Sequence, residues 1–287
     1  MRLGVVYPQT ELGGDPVAAR RLAAAVEELG FDHLLAHDHV LGAVHAGRNP
    51  PLTGPYTERD PFHDPLVLFA HMGAMTERIE LATGILILPQ RQTMLAARQA
   101  ADVDLLSGER LRLGVGVGWS PVEYEAMGQD FGRRGAREEG QINLLRRLWA
   151  EPIVEFHGGF DRVDRAALVP KPRRVIPIWL GGYGPRAYDR AAQIGDGFIF
   201  GGRVDDLVGR WMRLRDRVVA LGRSADAFGG DYVVLSRQGV DALLDKLGRW
   251  RDAGGTHASV VTMGLGLASV DAHIDYLATV ASKLRLG

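Results

Sequence analysis

Two histidines and an aspartate follow the second apolar run of the chain, and their residue types can do chemistry. His37, Asp38 and His39 come directly after residues 31–36. If that run is a strand that continues, alternation places His37 and His39 on one face and Asp38 on the other. A histidine there can act as a general acid, a general base or a ligand, and we favour His39 for this role. The alternative is a histidine bonded to a local carbonyl, and Asp38 is better suited to orienting a neighbour or forming a turn.

Two glycine-containing runs could let a ligand approach the backbone closely. The first is Thr83-Gly84-Ile85, where a glycine inside a buried strand indicates a bulge, a nearby ligand or simple packing. The second ends another apolar segment and consists of Gly114, Val115, Gly116, Val117, Gly118 and Trp119. Glycines at the end of a strand expose amides to a planar or phosphorylated ligand. This run is not a dinucleotide fingerprint, because the final glycine that opens a helix is missing.

A third glycine run, Gly181-Gly182-Tyr183-Gly184-Pro185, is suited to binding an anion. Proline stands where the first residue of a helix belongs. The free N–H groups of that helix start, together with the helix dipole, attract a phosphate. A tight turn would explain the glycines but not the direction in which they aim the helix. We therefore predict that this run binds a phosphate group.

Short apolar runs alternate with amphipathic segments along the whole chain, and this alternation predicts the elements that position these residues. Continuous apolar runs are typical of buried parallel strands. Eight βα units in 287 residues, with no break in composition, favour an α/β fold with one (β/α)8 TIM barrel as a single domain over residues 1–287. The predicted strands cover residues 3–7, 31–36, 79–88, 111–117, 176–180, 197–200, 232–235 and 258–263. The predicted helices cover residues 16–29, 65–75, 93–106, 137–149, 185–194, 204–221, 240–253 and 270–284.

Insertion segments are expected after the second and fourth strands. Residues 41–64, which include His45 and His63, form a long loop beside His39 that is typical of a lid or a binding loop. After the fourth strand, residues 120–135 could form the opposing wall, and residues 154–175 predict a hairpin outside the barrel. Since the active site of such a barrel lies at the carboxyl ends of its strands, the residues just past each strand carry the functional information.

Composition excludes several classes of protein. The 34 basic and 35 acidic residues give a net charge of −1, which does not favour nucleic acid as a partner. The absence of cysteine excludes disulfides, thiolate metal sites and cysteine nucleophiles. The N-terminus lacks the apolar segment of an export signal, and no apolar run is long enough to cross a bilayer. We therefore expect a soluble cytoplasmic protein that binds neither membranes nor nucleic acid.

In its motifs the chain resembles the bacterial luciferase-like flavin monooxygenases, and within them the actinobacterial branch that uses the deazaflavin coenzyme F420. Each motif is loose alone, but their order and spacing are specific, and the resemblance runs almost end to end. The motifs are Gly30-Phe31-Asp32, Asp38-His39-Val40, Thr76-Glu77-Arg78-Ile79, Thr83-Gly84-Ile85, Leu106-Ser107-Gly108-Glu109-Arg110, the run from Gly114 to Trp119, Pro170-Lys171-Pro172, the run from Pro177 to Gly182, and Gly195-Asp196-Gly197-Phe198.

The resemblance implies an oxidoreductase whose tricyclic coenzyme lies across the strand ends, with His39 as the proton donor or acceptor for hydride transfer to or from a small organic substrate. It also implies a cis bond between Gly84 and Ile85. Coenzyme F420 is the expected cofactor, with FMN and oxygen chemistry as the alternative. The cofactor-binding residues would be Asp38, Thr83, Gly84, Ile85, Gly116, Val117, Gly118, Trp119, Gly181, Gly182, Tyr183 and Gly184.

Two departures from the family pattern bear on the expected site. Related sugar-phosphate dehydrogenases carry a glutamate where this chain has Trp119, which argues against a sugar phosphate as substrate. Around Arg91-Gln92-Thr93 the proline that is usual in the family is missing. The substrate itself and the direction of reaction stay open.

A rival interpretation is a metal-dependent TIM-barrel hydrolase that uses His37 and His39. It is weakened because its His-x-His motif belongs after the first strand, and because the later strand ends offer glycines instead of ligands. We expect no metal. The family often forms dimers, so a homodimer is also possible.

Overall fold

The computed structural model describes residues 1–201 and 205–286, and its strands form a closed parallel barrel. The eleven strands are β1 (Arg2–Val6), β2 (His33–Ala36), β3 (Glu80–Thr83), β4 (Leu86–Ile87), β5 (Leu111–Gly116), β6 (Val154–His157), β7 (Arg162–Ala166), β8 (Ile178–Gly181), β9 (Gly197–Phe200), β10 (Gly229–Val234) and β11 (His257–Val261). Strand β1 pairs with β2 and β11, and β3 pairs with β5, which closes a ring of eight. The predicted (β/α)8 barrel is confirmed.

Nine helices surround this ring in the described part of the chain. They are α1 (Pro16–Glu28), α2 (Pro65–Gly73), α3 (Thr93–Leu106), α4 (Pro121–Ala126), α5 (Arg134–Ala150), α6 (Pro185–Ile194), α7 (Leu207–Ala220), α8 (Val240–Asp252) and α9 (Val270–Leu284). Helix α1 begins as its sequence predicts, since Asp15 accepts a hydrogen bond from Val17 N–H and Pro16 is the first helical residue. Of the helix predicted over residues 204–221, Val204 lies outside the described residues. None of the helices described is long and apolar enough to cross a membrane.

Two predicted elements differ from the structure. The strand predicted over residues 79–88 is interrupted by a cis peptide bond between Gly84 and Ile85, as the family resemblance implies, and pairing with β5 resumes in β4. Residues 120–135, the segment expected to form the opposing wall, contain helix α4 capped by Ser120, and helix α5 begins at Arg134 instead of Arg137.

Two segments lie outside the barrel sheet. Strands β6 and β7 form an antiparallel hairpin, which confirms the hairpin predicted in this stretch. Residues 41–64, the lid loop, contain no helix or strand. Thr93 at the start of α3 donates a hydrogen bond of 2.7 Å to Asp161 in the hairpin turn, so the hairpin is fixed against the barrel.

The interior of the barrel changes character along its axis. Towards the carboxyl ends of the strands it is apolar and is filled by Val6, Leu35, Ala82, Ile199, Val233 and Met263, which belong to one cluster with Trp179 nearer the amino ends. Towards the amino ends Arg112 is buried, bonded to Glu80 at 2.7 Å and to Asp231 at 2.9 Å, and lies 4.4 Å above the Trp179 ring. Burial opposes ionisation of Glu80, but Arg112 outweighs it and lowers the Glu80 pKa to about 2.

A buried acid joins helices α5 and α6. Glu138 is 1% exposed and lies 3.1 Å from Arg190, which also bonds to the half-exposed Glu139 at 2.9 Å. One carboxylate oxygen of Glu138 has no partner among the described residues. Burial raises the pKa of Glu138 to about 7, and Arg190 compensates only in part.

This raised pKa makes stability depend on pH. The folded chain keeps the Glu138 proton up to about pH 7, whereas the unfolded chain loses it near the ordinary glutamate pKa of 4.5, so stability decreases as pH rises across this window. We expect Glu138→Gln to stabilise the protein by about 1–3 kcal/mol at pH ~8 and to have almost no effect below pH ~4.5. Denaturant unfolding at both values measures this. Glu139→Gln is the matched control and should show no such gain; an equal gain would assign the effect to Arg190 instead.

Candidate active site

The predicted site residues all follow four neighbouring strands of the barrel. Strands β2, β3, β5 and β8 are consecutive in the ring, and their carboxyl ends form one half of its mouth. These ends bring together Asp38, His39, Thr83, Gly84, Ile85, Gly116, Val117, Gly118, Trp119, Gly181, Gly182, Tyr183 and Gly184. The alternation predicted after β2 is also observed, since His37 and His39 both lie near Tyr56 while Asp38 is directed elsewhere.

His39 is held by a carboxylate that the sequence did not indicate. Its Nδ1 lies 3.0 Å from Oε2 of Glu123, a fully buried residue of α4. The other oxygen, Oε1, accepts hydrogen bonds from the backbone N–H groups of Val40 and Leu41 at 3.0 and 3.2 Å. A carboxylate can only accept here, so His39 carries a proton on Nδ1, and in the neutral imidazole Nε2 is then the acceptor. Nε2 has no hydrogen-bond partner among the described residues.

A local signal could have drawn attention to Glu123. Ser120-x-x-Glu123 has the spacing of a capping box, and Ser120 does cap α4 by accepting from Glu123 N–H at 3.4 Å. In that motif the glutamate side chain bonds back to the N-cap backbone. Here the same side chain bonds to the loop after β2, which no local pattern predicts.

His37 orients the backbone of the cis bond instead of facing a substrate. Its Nδ1 bonds to the carbonyl oxygen of Gly84, and its backbone N–H donates to Gln9 Oε1 at 2.9 Å. Burial lowers the pKa of His37, so the ring is neutral, and Nδ1 carries the proton because a carbonyl only accepts. This matches the alternative of a histidine bonded to a local carbonyl.

Asp38 is buried, and both of its carboxylate oxygens already have partners. One accepts from Ile87 N–H and the other from Arg91, each at 2.8 Å. Arg91 also bonds to Asp64, at the end of the lid loop, at 2.7 Å. Asp38 therefore ties β2 to β4 and to the lid loop, and any contribution to cofactor binding passes through these neighbours.

The glycines after β5 and β8 form a surface with Ile85 that we call the glycine platform (Gly116, Gly181 and Ile85). A Cβ added at Gly116 or at Gly181 would lie 2.7 Å from the Ile85 side chain, so only glycine fits. Gly118 has a φ of +61°, and a Cβ there would lie 2.8 Å from Ile87.

The remaining predicted residues of this region have backbone partners. The Thr83 hydroxyl donates to the Gly114 carbonyl at 2.6 Å. The Val117 carbonyl accepts from the Tyr124 hydroxyl at 2.7 Å. Both bonds fix the strand ends beneath the glycine platform.

The start of α6 has the geometry of an anion site. Gly184 caps the helix in an extended conformation without a side-chain bond, and Pro185 is the first helical residue. A Cβ added at Gly184 would meet nothing within 4 Å, so the approach to the helix N-terminus is open. Gly182 has a φ of +152°, which favours glycine. Tyr183 is 66% exposed and its ring lies over Gly201, not over the helix start.

Aromatic rings cover His39 from the lid loop and from the end of β5. Tyr56, Phe62 and Trp119 lie edge-to-face with the imidazole at centroid separations of 5.3, 5.0 and 5.6 Å. Two of these rings belong to the lid loop, as its position beside His39 suggested. The sequence analysis had not identified Tyr56 or Phe62 as site residues, whereas Trp119 was among the predicted ones.

No arrangement of three or more His, Asp or Glu side chains that could hold a metal occurs within residues 1–201 and 205–286. His37 and His39 bond to Gly84 and Glu123, respectively. The metal-dependent hydrolase therefore gains no support from the site.

Comparison with known proteins adds to this geometry. The family model described as luciferase-like monooxygenase matches residues 1–237. An uncharacterized protein of Mycobacterium tuberculosis is 34% identical over 203 residues, which cover 68% of this chain and 70% of the relative. An F420-dependent glucose-6-phosphate dehydrogenase of Nakamurella multipartita is 32% identical over 211 residues, covering 71% of this chain and 59% of that one. A solved F420-dependent secondary alcohol dehydrogenase, in complex with an F420-acetone adduct, has a TM-score of 0.79 at 15% identity over 98% of both chains and shares the fold.

The bond between His39 and Glu123 can be tested by its effect on the tautomer. In Glu123→Gln the amide oxygen can still accept from Val40 and Leu41, but the amide N–H₂ then faces Nδ1. We expect the His39 proton to move from Nδ1 to Nε2, which long-range ¹H–¹⁵N NMR of the imidazole detects. Glu125→Gln, an exposed neighbour on α4, should leave the proton on Nδ1. An unchanged tautomer in Glu123→Gln would contradict the role given to Glu123.

Proposed function

The chain belongs to the luciferase-like monooxygenase family and is an oxidoreductase, and from this premise we propose that it uses coenzyme F420 to transfer a hydride to or from a small organic substrate. In this proposal His39 gives or takes the accompanying proton. The observation that carries it is the Nε2 of His39, which has no hydrogen-bond partner among the described residues, while Glu123 fixes Nδ1.

The residues present fit a flat coenzyme at the strand ends. Gly116 and Gly181 let the Ile85 side chain pack directly on the backbone of β5 and β8, because a Cβ at either glycine would lie 2.7 Å from it. In this proposal the coenzyme ring lies against the surface that these three residues form. Thr83, Gly84 and Val117 belong to the same strand ends, and Gly118 would approach the tail of the coenzyme. A hydrogen bond from His37 fixes the Gly84 carbonyl, which keeps the platform rigid.

The start of α6 fits the coenzyme phosphate. Amides of Gly181, Gly182 and Gly184 lead to a helix N-terminus that no side chain caps, and the helix dipole favours an anion there. Arg186 N–H, at the second helical position, is one of the donors that such a phosphate would satisfy.

When bound, the deazaflavin supplies the two-electron chemistry, and the protein supplies orientation and the proton. His39 with an unprotonated Nε2 accepts the proton of a substrate alcohol, and in the reverse direction it returns that proton to the oxygen of a carbonyl. Glu123 orients the ring and stabilises the charge that forms on it. Tyr56, Phe62 and Trp119 exclude water from the imidazole, whose side chain is 8% exposed.

A second candidate is an FMN-dependent monooxygenase, which the description of the family favours. In that case oxygen would be consumed and His39 would stabilise an oxygenated species instead of exchanging a substrate proton. A side-by-side titration with reduced coenzyme F420 and reduced FMN, followed by oxygen-uptake measurements, separates the two. Oxygen uptake equal to turnover would contradict the deazaflavin proposal. A sugar phosphate is not the proposed substrate, because Trp119 replaces the glutamate expected for one.

The anion site is tested by a charge placed at its entrance. Gly184→Asp and Gly184→Asn both put a good N-cap in open space, so neither should destabilise α6. Only the aspartate repels a phosphate, and we expect it to weaken binding of coenzyme F420 by at least about tenfold relative to the asparagine variant. Fluorescence titration of the coenzyme measures both constants. Equal affinities in the two variants would mean that the phosphate is bound elsewhere.

The role of His39 is tested by separating turnover from binding. We expect His39→Ala to reduce kcat by about 10²–10⁴-fold while the affinity for coenzyme F420 changes little, because His39 is not one of the residues that form the glycine platform. Substitution of the other histidine, His37→Ala, should reduce coenzyme affinity as well, since it releases the Gly84 carbonyl. A His39→Ala protein that retains its rate would contradict the assignment.

A further inference from the structure

The enclosure of His39 restricts what can reach it. Besides contacting the imidazole, Tyr56 and Phe62 pack edge-to-face on each other at 4.8 Å, so the lid side of the enclosure is continuous. Trp119 closes another side, and Gly54 of the lid loop lies so close to it that a Cβ would be 2.2 Å from the indole. Any molecule that reaches Nε2 therefore packs against at least one aromatic ring.

The charged groups next to this enclosure already have partners. Three N–H donors bond to the Glu123 carboxylate. Both terminal nitrogens of Arg91 bond to carboxylates, and its Nε has no partner among the described residues. Asp60, which lies near Tyr56, accepts two hydrogen bonds inside the lid loop. Burial raises the pKa of Tyr56 to about 12, so its hydroxyl stays neutral at physiological pH.

One polar atom close to the enclosure has no partner. The His45 ring lies edge-to-face with Trp119, with centroids 6.1 Å apart and planes at 83°. Its Nε2 is buried without a hydrogen-bond partner within the described residues. A buried nitrogen left unpaired costs free energy, which a bound ligand can recover by supplying a partner.

We propose that the substrate is an uncharged molecule with an aromatic or aliphatic body and two neutral oxygen groups. A carbonyl or carbinol group would lie beside His39, and a second hydroxyl or carbonyl would hydrogen-bond to Nε2 of His45. This inference rests on the proposed function, because it takes His39 as the residue next to the reacting carbon. Among residues 1–201 and 205–286, the charged side chains identified beside the enclosure already form ion pairs or hydrogen bonds, so neither an anion nor a cation gains a new ion pair with them. An apolar body gains from burial against Tyr56, Phe62 and Trp119.

The charge preference is tested with three probes of nearly equal shape: benzyl alcohol, benzoate and benzylammonium. Isothermal titration calorimetry measures their binding to the full chain, loaded with whichever coenzyme it takes up. We expect the Kd of benzyl alcohol to be lower than that of either ion by about tenfold or more. Equal or tighter binding of benzoate or benzylammonium, or no binding of benzyl alcohol, would overturn the proposal.

The role of His45 is tested with 1,4-benzenedimethanol, which adds one neutral oxygen to benzyl alcohol. We expect the diol to bind about tenfold more tightly, and His45→Leu to abolish that gain while leaving benzyl alcohol within about twofold. His45→Gln, which keeps a neutral hydrogen-bonding group, should restore part of the gain and also controls for folding. Equal weakening of both alcohols in His45→Leu, or no weakening of either, would contradict the assignment.

These titrations do not require turnover, so the two proposals fail in different ways. A chain that binds the alcohols but takes up neither coenzyme contradicts the proposed function and leaves the neutral pocket in place. A chain that reduces or oxidises a deazaflavin yet prefers benzoate contradicts the pocket alone.

Discussion

The Glu123 carboxylate is the interaction on which the site depends. Its two oxygens accept three hydrogen bonds, from the His39 imidazole and from the N–H groups of Val40 and Leu41. A buried carboxylate is tolerated only when such donors compensate for lost hydration. The same contacts set the tautomer of His39 and join the loop after β2 to the helix after β5. The Glu123 carboxylate therefore fixes both the position and the tautomer of the His39 ring.

The lid loop is attached at both ends, and these attachments explain how a long segment without regular structure stays over the strand ends. Glu123 bonds to the backbone at its beginning. At its end, Gln9 donates to the His63 carbonyl at 3.3 Å and Arg91 bonds to Asp64. Gln9 also accepts from His37 N–H, so one side chain links the lid to the residue that fixes the Gly84 carbonyl. Between these attachments the loop is held by aromatic packing, which is less directional and leaves it more freedom to move.

The features that the sequence predicted depend on residues close together in the chain, and the features that it missed depend on residues far apart. Apolar runs, the Asp15 cap and the glycines at strand ends act over a few residues, so the barrel and the position of its mouth were predictable. The two decisive side-chain contacts join residues far apart in the chain, since Glu123 is 84 positions from His39 and Arg91 is 53 from Asp38. Many carboxylates could meet a given histidine in a barrel of this size. Only the packed structure selects among them.

The buried stack of Arg112 on Trp179 closes the barrel at the amino ends of its strands. The proposed coenzyme and substrate would therefore both enter from the opposite face, near residues 41–64. If the coenzyme binds against the strand ends, the substrate would lie above it, and we expect the coenzyme to bind first and to leave last. An excess of substrate would then slow turnover by binding to enzyme that still holds the spent coenzyme.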